Sequence, residues 1–382
     1  MNNTLWKRSY TCLIIANALV TASYSMFTSL LSVYVNELGF GNSVAGSMVA
    51  GLGMVLMLSK LLAGSIVDRV PKDKLFVFSA FLVLLNTAGY CFADSIPVLF
   101  FLRLFNGFTN ALFIVTSSAM IVLSVDDRRV EEAVSYYRVT SSLTVAIGPV
   151  FGNILYRRYG FSPLFVSMSV LAALAAVLAC AVDSADFPKP SAAAPGIKRR
   201  FSLSCPIERT AIPVAVVTIF LYMATSSVGN YLVAYGNTRG FTTTGLFFLI
   251  SSLFLLLSTL VYKRFLNKLN PKVILSIGFL LIACSIFLIP LASADMYILL
   301  LSALYGFGEG LTTPLLNAIA FRNAAPERKG AAAATFSIAN GIGTGIGGYL
   351  CGHVSESFGY TPMFGVSAIN SVLAGIMLWL LS

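Results

Sequence analysis

Charge is scarce in this chain. Of its 382 residues only 10% are Asp, Glu, Lys or Arg and 57% are hydrophobic, whereas an ordinary soluble domain is about 25% charged. A chain so composed cannot cover its apolar surface in water, so its main solvent is lipid. Histidine is scarcer still, with His353 alone, and the six cysteines show no C-x-x-C spacing. That leaves no His/Cys set for a zinc site and no pairing of nucleophile with base, so neither enzymatic activity nor a resident metal or cofactor is expected. Cys12, Cys91, Cys180, Cys284 and Cys351 fall in apolar runs and Cys205 in a polar segment, which argues against structural disulfides. No G-x-x-x-x-G-K-[ST] phosphate loop is present and no stretch could form a nucleotide-binding domain, which excludes direct ATP-driven transport by this chain alone.

Long apolar runs are what the chain has instead. A hydrocarbon core about 30 Å thick needs roughly 20 apolar residues per helix. Twelve runs qualify, near 10–36, 43–67, 75–94, 97–121, 134–155, 163–183, 212–236, 243–262, 273–292, 295–320, 328–352 and 361–381. They are continuous and lack the ten-residue alternation of membrane strands, so they predict helices. The expected class is an all-α membrane protein of twelve transmembrane helices in two six-helix bundles, 1–183 and 212–382. Residues 184–211, with Pro188, Pro190, Pro195 and Lys198-Arg199-Arg200, read as a cytoplasmic linker. Few residues precede the first run, which is too long for a signal h-region, so it is expected to stay in the membrane.

The net charge of +10 comes from loops. Placing the N-terminus in the cytoplasm puts nearly all Lys and Arg in or beside cytoplasmic segments; the exceptions are Arg157, Arg158 and Arg239 outside and Lys60 and Arg103 within spans. Both termini are therefore expected in the cytoplasm. The basic residues are scattered over many loops, which gives no reason to expect nucleic acid as a partner.

A shift of 199 residues lays the chain over itself. Gly107-Phe108 falls on Gly306-Phe307, Gly148 on Gly347, and Gly160-Phe161-Ser162-Pro163-Leu164-Phe165 on Gly359-Tyr360-Thr361-Pro362-Met363-Phe364. One offset held over roughly 50 residues marks a duplicated unit, and duplicated membrane bundles are characteristic of transporters.

Between the second and third runs stands Gly64-Ser65-Ile66-Val67-Asp68-Arg69-Val70-Pro71-Lys72-Asp73-Lys74. Gly64 and Asp68 share a helical face, where a glycine permits close helix contact and a carboxylate can meet a helix terminus or a cation. The segment resembles the G-x-x-x-D-R-x-G-R-K loop of the major facilitator superfamily, with Pro71 where the family usually has glycine. The twelve runs, two halves and central linker agree with that family over the full chain. The resemblance implies a gate closed on the cytoplasmic side, formed by Gly64, Asp68 and Arg69; a topogenic loop with a solvated acid is the alternative. In the second half Lys263 and Asn267 replace Gly64 and Asp68.

Arg103-Leu104-Phe105-Asn106-Gly107 in the fourth run resembles the R-x-x-Q-G element of proton-coupled members, with Asn106 for glutamine. A guanidinium roughly 9 Å inside the outer boundary must face water or a partner, or else snorkel outward. Glu309 in the tenth run lies about 20 Å from the outer end of its helix. It is a proton-coupling carboxyl, a protonated, hydrogen-bonded packing residue, or an acid at the cytoplasmic mouth. Gly148-Pro149-Val150-Phe151-Gly152-Asn153 in the fifth run resembles the G-P-x-x-G-G element of exporters and antiporters; packing alone is the other reading. Gly341, Gly343, Gly345, Gly347 and Gly348 in the eleventh run suggest the same close contact across the halves.

Polar residues form stripes at helical spacing on the first, fourth, seventh and tenth runs: Asn17, Thr21, Tyr24 and Thr28; Arg103, Asn106 and Asn110; Thr218, Tyr222, Thr225 and Gly229; Ser302, Tyr305, Glu309 and Thr312. These runs are equivalents in the repeat, and the family resemblance implies that they line the central cavity. The expectation is a secondary transporter that exports a small organic molecule by proton antiport and alternating access. Glu309 and Arg103 would handle coupling, Asn17, Tyr24, Asn106, Asn110, Tyr222 and Tyr305 the substrate, and Gly148 and Pro149 would join the gate. The expected partners are a small-molecule substrate, protons and the lipid bilayer. The protein is expected as a monomer in the cytoplasmic (inner) membrane of a bacterium. A proton-coupled importer of a sugar or organic acid, an exporter of an anionic metal-chelating metabolite, and a non-transporting receptor are the alternatives.

Overall fold

The computed structural model describes residues 6–67, 69–126, 129–183, 187, 208–262, 264, 269–322, 324–325 and 328–381. Asp68 and all of the linker except Phe187 and 208–211 therefore lie outside the described residues. Among the described residues there are thirteen α-helices and no strand: α1 (Arg8–Thr28), α2 (Leu31–Glu37), α3 (Asn42–Val67), α4 (Lys72–Gly89), α5 (Ile96–Leu123), α6 (Val130–Tyr159), α7 (Phe161–Cys180), α8 (Ile212–Arg239), α9 (Thr244–Val261), α10 (Pro271–Leu288), α11 (Asp295–Arg322), α12 (Lys329–Phe358) and α13 (Tyr360–Leu380). In lipid every backbone donor and acceptor must be satisfied within the chain, which the helix does locally.

The first expected span is not one helix. It divides into α1 and α2 around Ser29 and Leu30. Hydroxyls crowd this stretch, and Ser25 Oγ donates to the carbonyls of Ala22 and Thr144 at 3.1 and 3.3 Å; side-chain bonds to backbone carbonyls of this kind bend helices. Eleven helices are long and apolar enough to cross a membrane. The twelfth long helix, α12, is diluted by glycine and falls short on hydropathy, although its length matches that of its repeat partner α6.

The duplication holds to the residue over much of each half. The 199-residue shift carries α4 onto α10, α5 onto α11 and α6 onto α12 at both ends, and the 3-10 turn Tyr90–Phe92 onto the turn Ile289–Leu291. It also explains the most similar stretch. Gly160 joins α6 to α7 at φ 80°, ψ −168°, and Gly359 joins α12 to α13 at φ 87°, ψ 175°, a region that is essentially glycine-only. The repeated Gly-Phe/Tyr-Ser/Thr-Pro sequence is a helix corner. Gly359→Ala is expected to cost about 1–3 kcal/mol, read as a lowered unfolding midpoint in detergent.

The chain divides into two compact units, one of residues 1–27 and 55–204, the other of 28–54 and 205–382. The bundles expected at 1–183 and 212–382 differ from these units by the segment 28–54, which packs within the second. In the first unit, size sorts the faces of α7, whose sequence has no polar side. Ala172, Ala175, Ala176 and Ala179 are buried in the core with Phe76 and Val83 of α4, while Val166, Val170 and Val177 are exposed. Small residues let two helices approach closely, and the exposed branched side chains suit lipid.

In the second unit α12 lies against two helices through its glycines. A Cβ at Gly347 would meet Met223 Cα at 2.6 Å, and one at Gly343 would meet Ile219 O at 2.6 Å, both on α8. On its other side Gly345 faces Ala50 Cα at 3.5 Å, Gly348 faces Val49 Cγ1 at 2.5 Å and Gly352 faces Gly46 Cα at 3.1 Å, all on α3. Gly345 and Gly348 thus lie against residues of the first half of the sequence, whereas Gly343 and Gly347 pack within their own half. Polar bonds stand near one end of this contact: Ser43 N donates to Glu356 Oε2 at 2.7 Å between α3 and α12, Asn42 Nδ2 to Tyr360 Oη at 3.0 Å between α3 and α13, and Ser32 Oγ to Asn230 O at 2.7 Å between α2 and α8. The bonds from Ser43 hold the Glu356 carboxyl below the usual carboxylate range. Because the folded value is the lowered one, this tie persists above that range and is lost as the medium turns acidic below it.

Candidate functional site

Glu309 is set by the glycines around it. A Cβ at Gly306 would strike Ser251 O and one at Gly310 would meet Leu255 O at 2.5 Å, both on α9; one at Gly308 would meet Gly278 O at 2.8 Å on α10. These contacts seat α11 between two helices at backbone distance. Half-buried Glu309 lies within electrostatic reach of Tyr222 on α8 and of Tyr305 one turn away on its own helix. Tyr222 in turn faces Thr313 and Asn340, and Tyr305 faces Thr225. Among the described residues the Glu309 carboxyl has no cation within ion-pair distance.

Three residues expected from the sequence, Tyr222, Tyr305 and Glu309, therefore come together in the second unit. Thr313 and Asn340 join them unannounced. Thr313 lies one residue beyond the recognised stripe, and Asn340, a lone amide at the head of the glycine run of α12, was a signal left unread. Two members of the stripe turn inward: Thr312 Oγ1 donates to Gly308 O and Glu309 O at 3.1 and 3.2 Å, and Ser302 Oγ to Leu299 O at 2.6 Å. Their hydroxyls are satisfied within their own helix.

In the first unit, Asn17 is buried and donates from Nδ2 to Ser141 Oγ at 2.7 Å, tying α1 to α6. Asn106 and Asn110 share a face of α5, as their spacing predicts, and Asn110 Nδ2 donates to Asn106 Oδ1 at 3.0 Å. Tyr24 on α1 is half-buried, within electrostatic reach of Tyr90. Arg103 is 1% exposed, which removes the snorkelling alternative. Its Cζ stands 5.7 Å from the centroid of the Phe27 ring. Asn86 and Tyr90 of the adjoining α4 and its 3-10 turn are buried with it; their polarity inside a helix otherwise apolar at its centre was the available sequence signal.

The gate residues separate. Gly148 and Gly152 of α6 are held against α1, where Cβ atoms would strike Ser25 Oγ and Met26 O; Pro149 is buried beside them. At Gly64, among the described residues, no atom lies within 4 Å of a built Cβ. Arg69 is exposed, one residue beyond Asp68.

The family model of the Major Facilitator Superfamily matches residues 13–324 and 214–382. An uncharacterised MFS-type transporter of Methanocaldococcus jannaschii is 22% identical over 357 residues, covering 92% of each chain. The multi-drug resistance efflux pump PmrA homolog of Lactococcus lactis is 27% identical over 82% of this chain and 80% of its own. The multidrug resistance protein MdtG of Salmonella schwarzengrund is 23% identical over 98% of this chain and 95% of its own. In fold, a POT family transporter solved with 5-aminolevulinic acid aligns at a TM-score of 0.82 and 15% identity, covering 98% of this chain and 96% of that one. The nucleoside transporter NupG aligns at 0.78 and 15%, covering 97% and 99%. Duplicated helical units, membrane-length helices and matched family model together give one conclusion: this chain belongs to the Major Facilitator Superfamily of membrane transporters.

Proposed function

We propose that this transporter exports a small organic molecule in exchange for protons. The observation that carries the reading is Glu309: a half-buried carboxyl in a membrane helix, within electrostatic reach of two tyrosines, with no cation in ion-pair distance among the described residues. Such a group is functional by default in a membrane helix, and one without a fixed counter-charge can trade its proton against a substrate. The relatives named as multidrug efflux pumps support the outward direction. Tyr222 and Tyr305 offer aromatic surface and hydroxyls to a substrate, and Tyr24, Asn106 and Asn110 offer polar groups from the first unit. Asn17, bonded to Ser141, contributes by fixing α1. Arg103 is the fixed positive charge of the scheme.

In this proposal the carrier cycles by alternating access as two six-helix bundles rock. Asp68 and Arg69, with Gly64, guard the cytoplasmic side, and Gly148 and Pro149 hold α6 on α1 as it moves. The protein works as a monomer in a bacterial inner membrane with both termini in the cytoplasm. The test is fluorescence dequenching of a pH probe in everted vesicles that hold an imposed proton gradient. Lipophilic cations, antibiotics and anionic chelators are added in turn. Compound-dependent proton release is the expected result; uptake of a sugar or organic acid with protons moving the same way would establish an importer instead.

A further inference from the structure

Of the nine buried side-chain nitrogen and oxygen atoms that lack a hydrogen-bond partner among the described residues, five belong to three neighbouring side chains: Asn86 Nδ2 and Oδ1, Tyr90 Oη, and Arg103 Nε and Nη2. Asn86 and Tyr90 stand four residues apart at the end of α4. Both Asn86 and the Arg103 guanidinium lie within electrostatic reach of the Tyr90 hydroxyl, although none closes a hydrogen bond of good geometry. All three are at most 1% exposed. Around them the Phe27 ring is edge-on to Tyr90 at 5.1 Å, and Phe165 stacks on Tyr90 at 5.8 Å. No carboxylate lies within ion-pair distance of Arg103 among the described residues. The aromatic face of Phe27 offers the guanidinium a quadrupole, but no neutralising charge.

The duplicated half shows that the fold does not need this cluster. The 199-residue shift carries Asn86, Tyr90 and Arg103 onto Ser285, Ile289 and Ser302. There both hydroxyls are satisfied by backbone, Ser285 Oγ on Leu301 O at 2.8 Å and Ser302 Oγ on Leu299 O at 2.6 Å. The same helices pack in the same register without any ionisable group. A buried, unpaired charge costs several kcal/mol, so the first half carries an expense that its copy avoids.

We propose that Arg103, Asn86 and Tyr90 form a binding site for one small monovalent inorganic anion of halide size, which serves as the counter-charge of Arg103. Guanidinium N–H, amide N–H and phenol O–H are all donors suited to an anion. One fixed positive charge matches one negative charge. The closure by Phe27, Phe165 and Tyr90 favours a compact ion over an organic one. This site does not rest on the export reading, since binding is read without transport.

The experiment uses the full-length protein purified in detergent and equilibrated in sodium gluconate. Sodium chloride, bromide, acetate or sulfate is then titrated in, with the unfolding midpoint as one readout and chloride-35 line broadening as the second. Chloride and bromide are expected to raise the midpoint saturably, by about 3 °C or more near saturation, and to do so where sulfate and acetate do not. Arg103→Ser should abolish both effects. If that variant does not fold, Asn86→Ser is expected to weaken the chloride dependence about tenfold. Equal stabilisation by acetate would overturn the halide assignment in favour of a carboxylate ligand. Absence of any saturable anion effect in the wild type, or an unchanged effect in Asn86→Ser and Arg103→Ser, would overturn the site altogether.

Discussion

Glu309→Gln is expected to uncouple transport from the proton gradient while leaving the protein folded. Glutamine has nearly the shape of a protonated glutamate, so the packing of α11 through Gly306, Gly308 and Gly310 is untouched. It cannot release a proton. A pH difference of one unit is worth about 1.4 kcal/mol per proton, which is a tenfold ratio of substrate across the membrane for one-to-one exchange. In everted vesicles the variant should lose that factor for every imposed pH unit and show no compound-dependent proton release. Substrate-for-substrate exchange should persist, because Tyr222 and Tyr305 remain. Glu309→Asp, which keeps the ionisable group and shortens it by one methylene, should retain part of the proton release. Wild-type proton release in Glu309→Gln would mean that this carboxyl is a packing residue and that coupling lies elsewhere.

Gly46→Leu is expected to have the second large effect. Even a Cβ at this position would lie 2.6 Å from Gly348 O, 2.9 Å from Tyr231 Oη and 3.2 Å from Tyr349 Cα. Two of these are backbone atoms of a helix and cannot swing aside, so the whole side chain overpacks the contact between α3 and α12. Overpacking costs about 1–3 kcal/mol, which lowers the population of the closed contact by roughly 5- to 150-fold. The bonds of Asn42 to Tyr360 and of Ser43 to Glu356 should be lost with it. The check is the rate at which a maleimide labels Ser43→Cys, in a protein whose native cysteines have been replaced by serine. Faster labelling together with a loss of transport supports a contact that must close in each cycle. Unchanged labelling and unchanged transport would show that the leucine is accommodated and that the contact plays no part in the cycle.

Much of the fold was legible because its causes are local or periodic. Apolar runs and loop charges mark the helices, and the 199-residue offset predicted a correspondence of elements that holds at both ends of α4, α5 and α6. The Gly160 and Gly359 corners were visible as sequence before their positive φ gave the reason. The site was legible by half. A carboxyl in an apolar run is conspicuous in any sequence, and the four-residue spacing of Tyr305 and Glu309 places them on one face. Asn340 and Asn86 were missed because a single amide in an apolar helix has no periodicity; its importance depends on what stands across from it.

What went unread is contact between segments distant in the chain. Gly64 sits in the most recognisable motif and yet touches nothing on its Cβ side among the described residues, whereas Gly148, in a looser match, is pressed onto Ser25. Nothing in the two sequences marks out the glycine that admits a neighbour. Likewise the run 10–36 reads as one span, and only packing divides it into α1 and α2 and joins residues 28–54 to the second unit. The sequence by itself determined the solvent, the helices, the duplication and the presence of Glu309 and Arg103 inside membrane segments, because composition and periodicity act along the chain. Tertiary structure alone decided which polar groups find partners. That is a matter of distance between helices, and it left Arg103 buried beside Asn86 and Tyr90 without a carboxylate while its counterpart Ser302 closed on its own backbone.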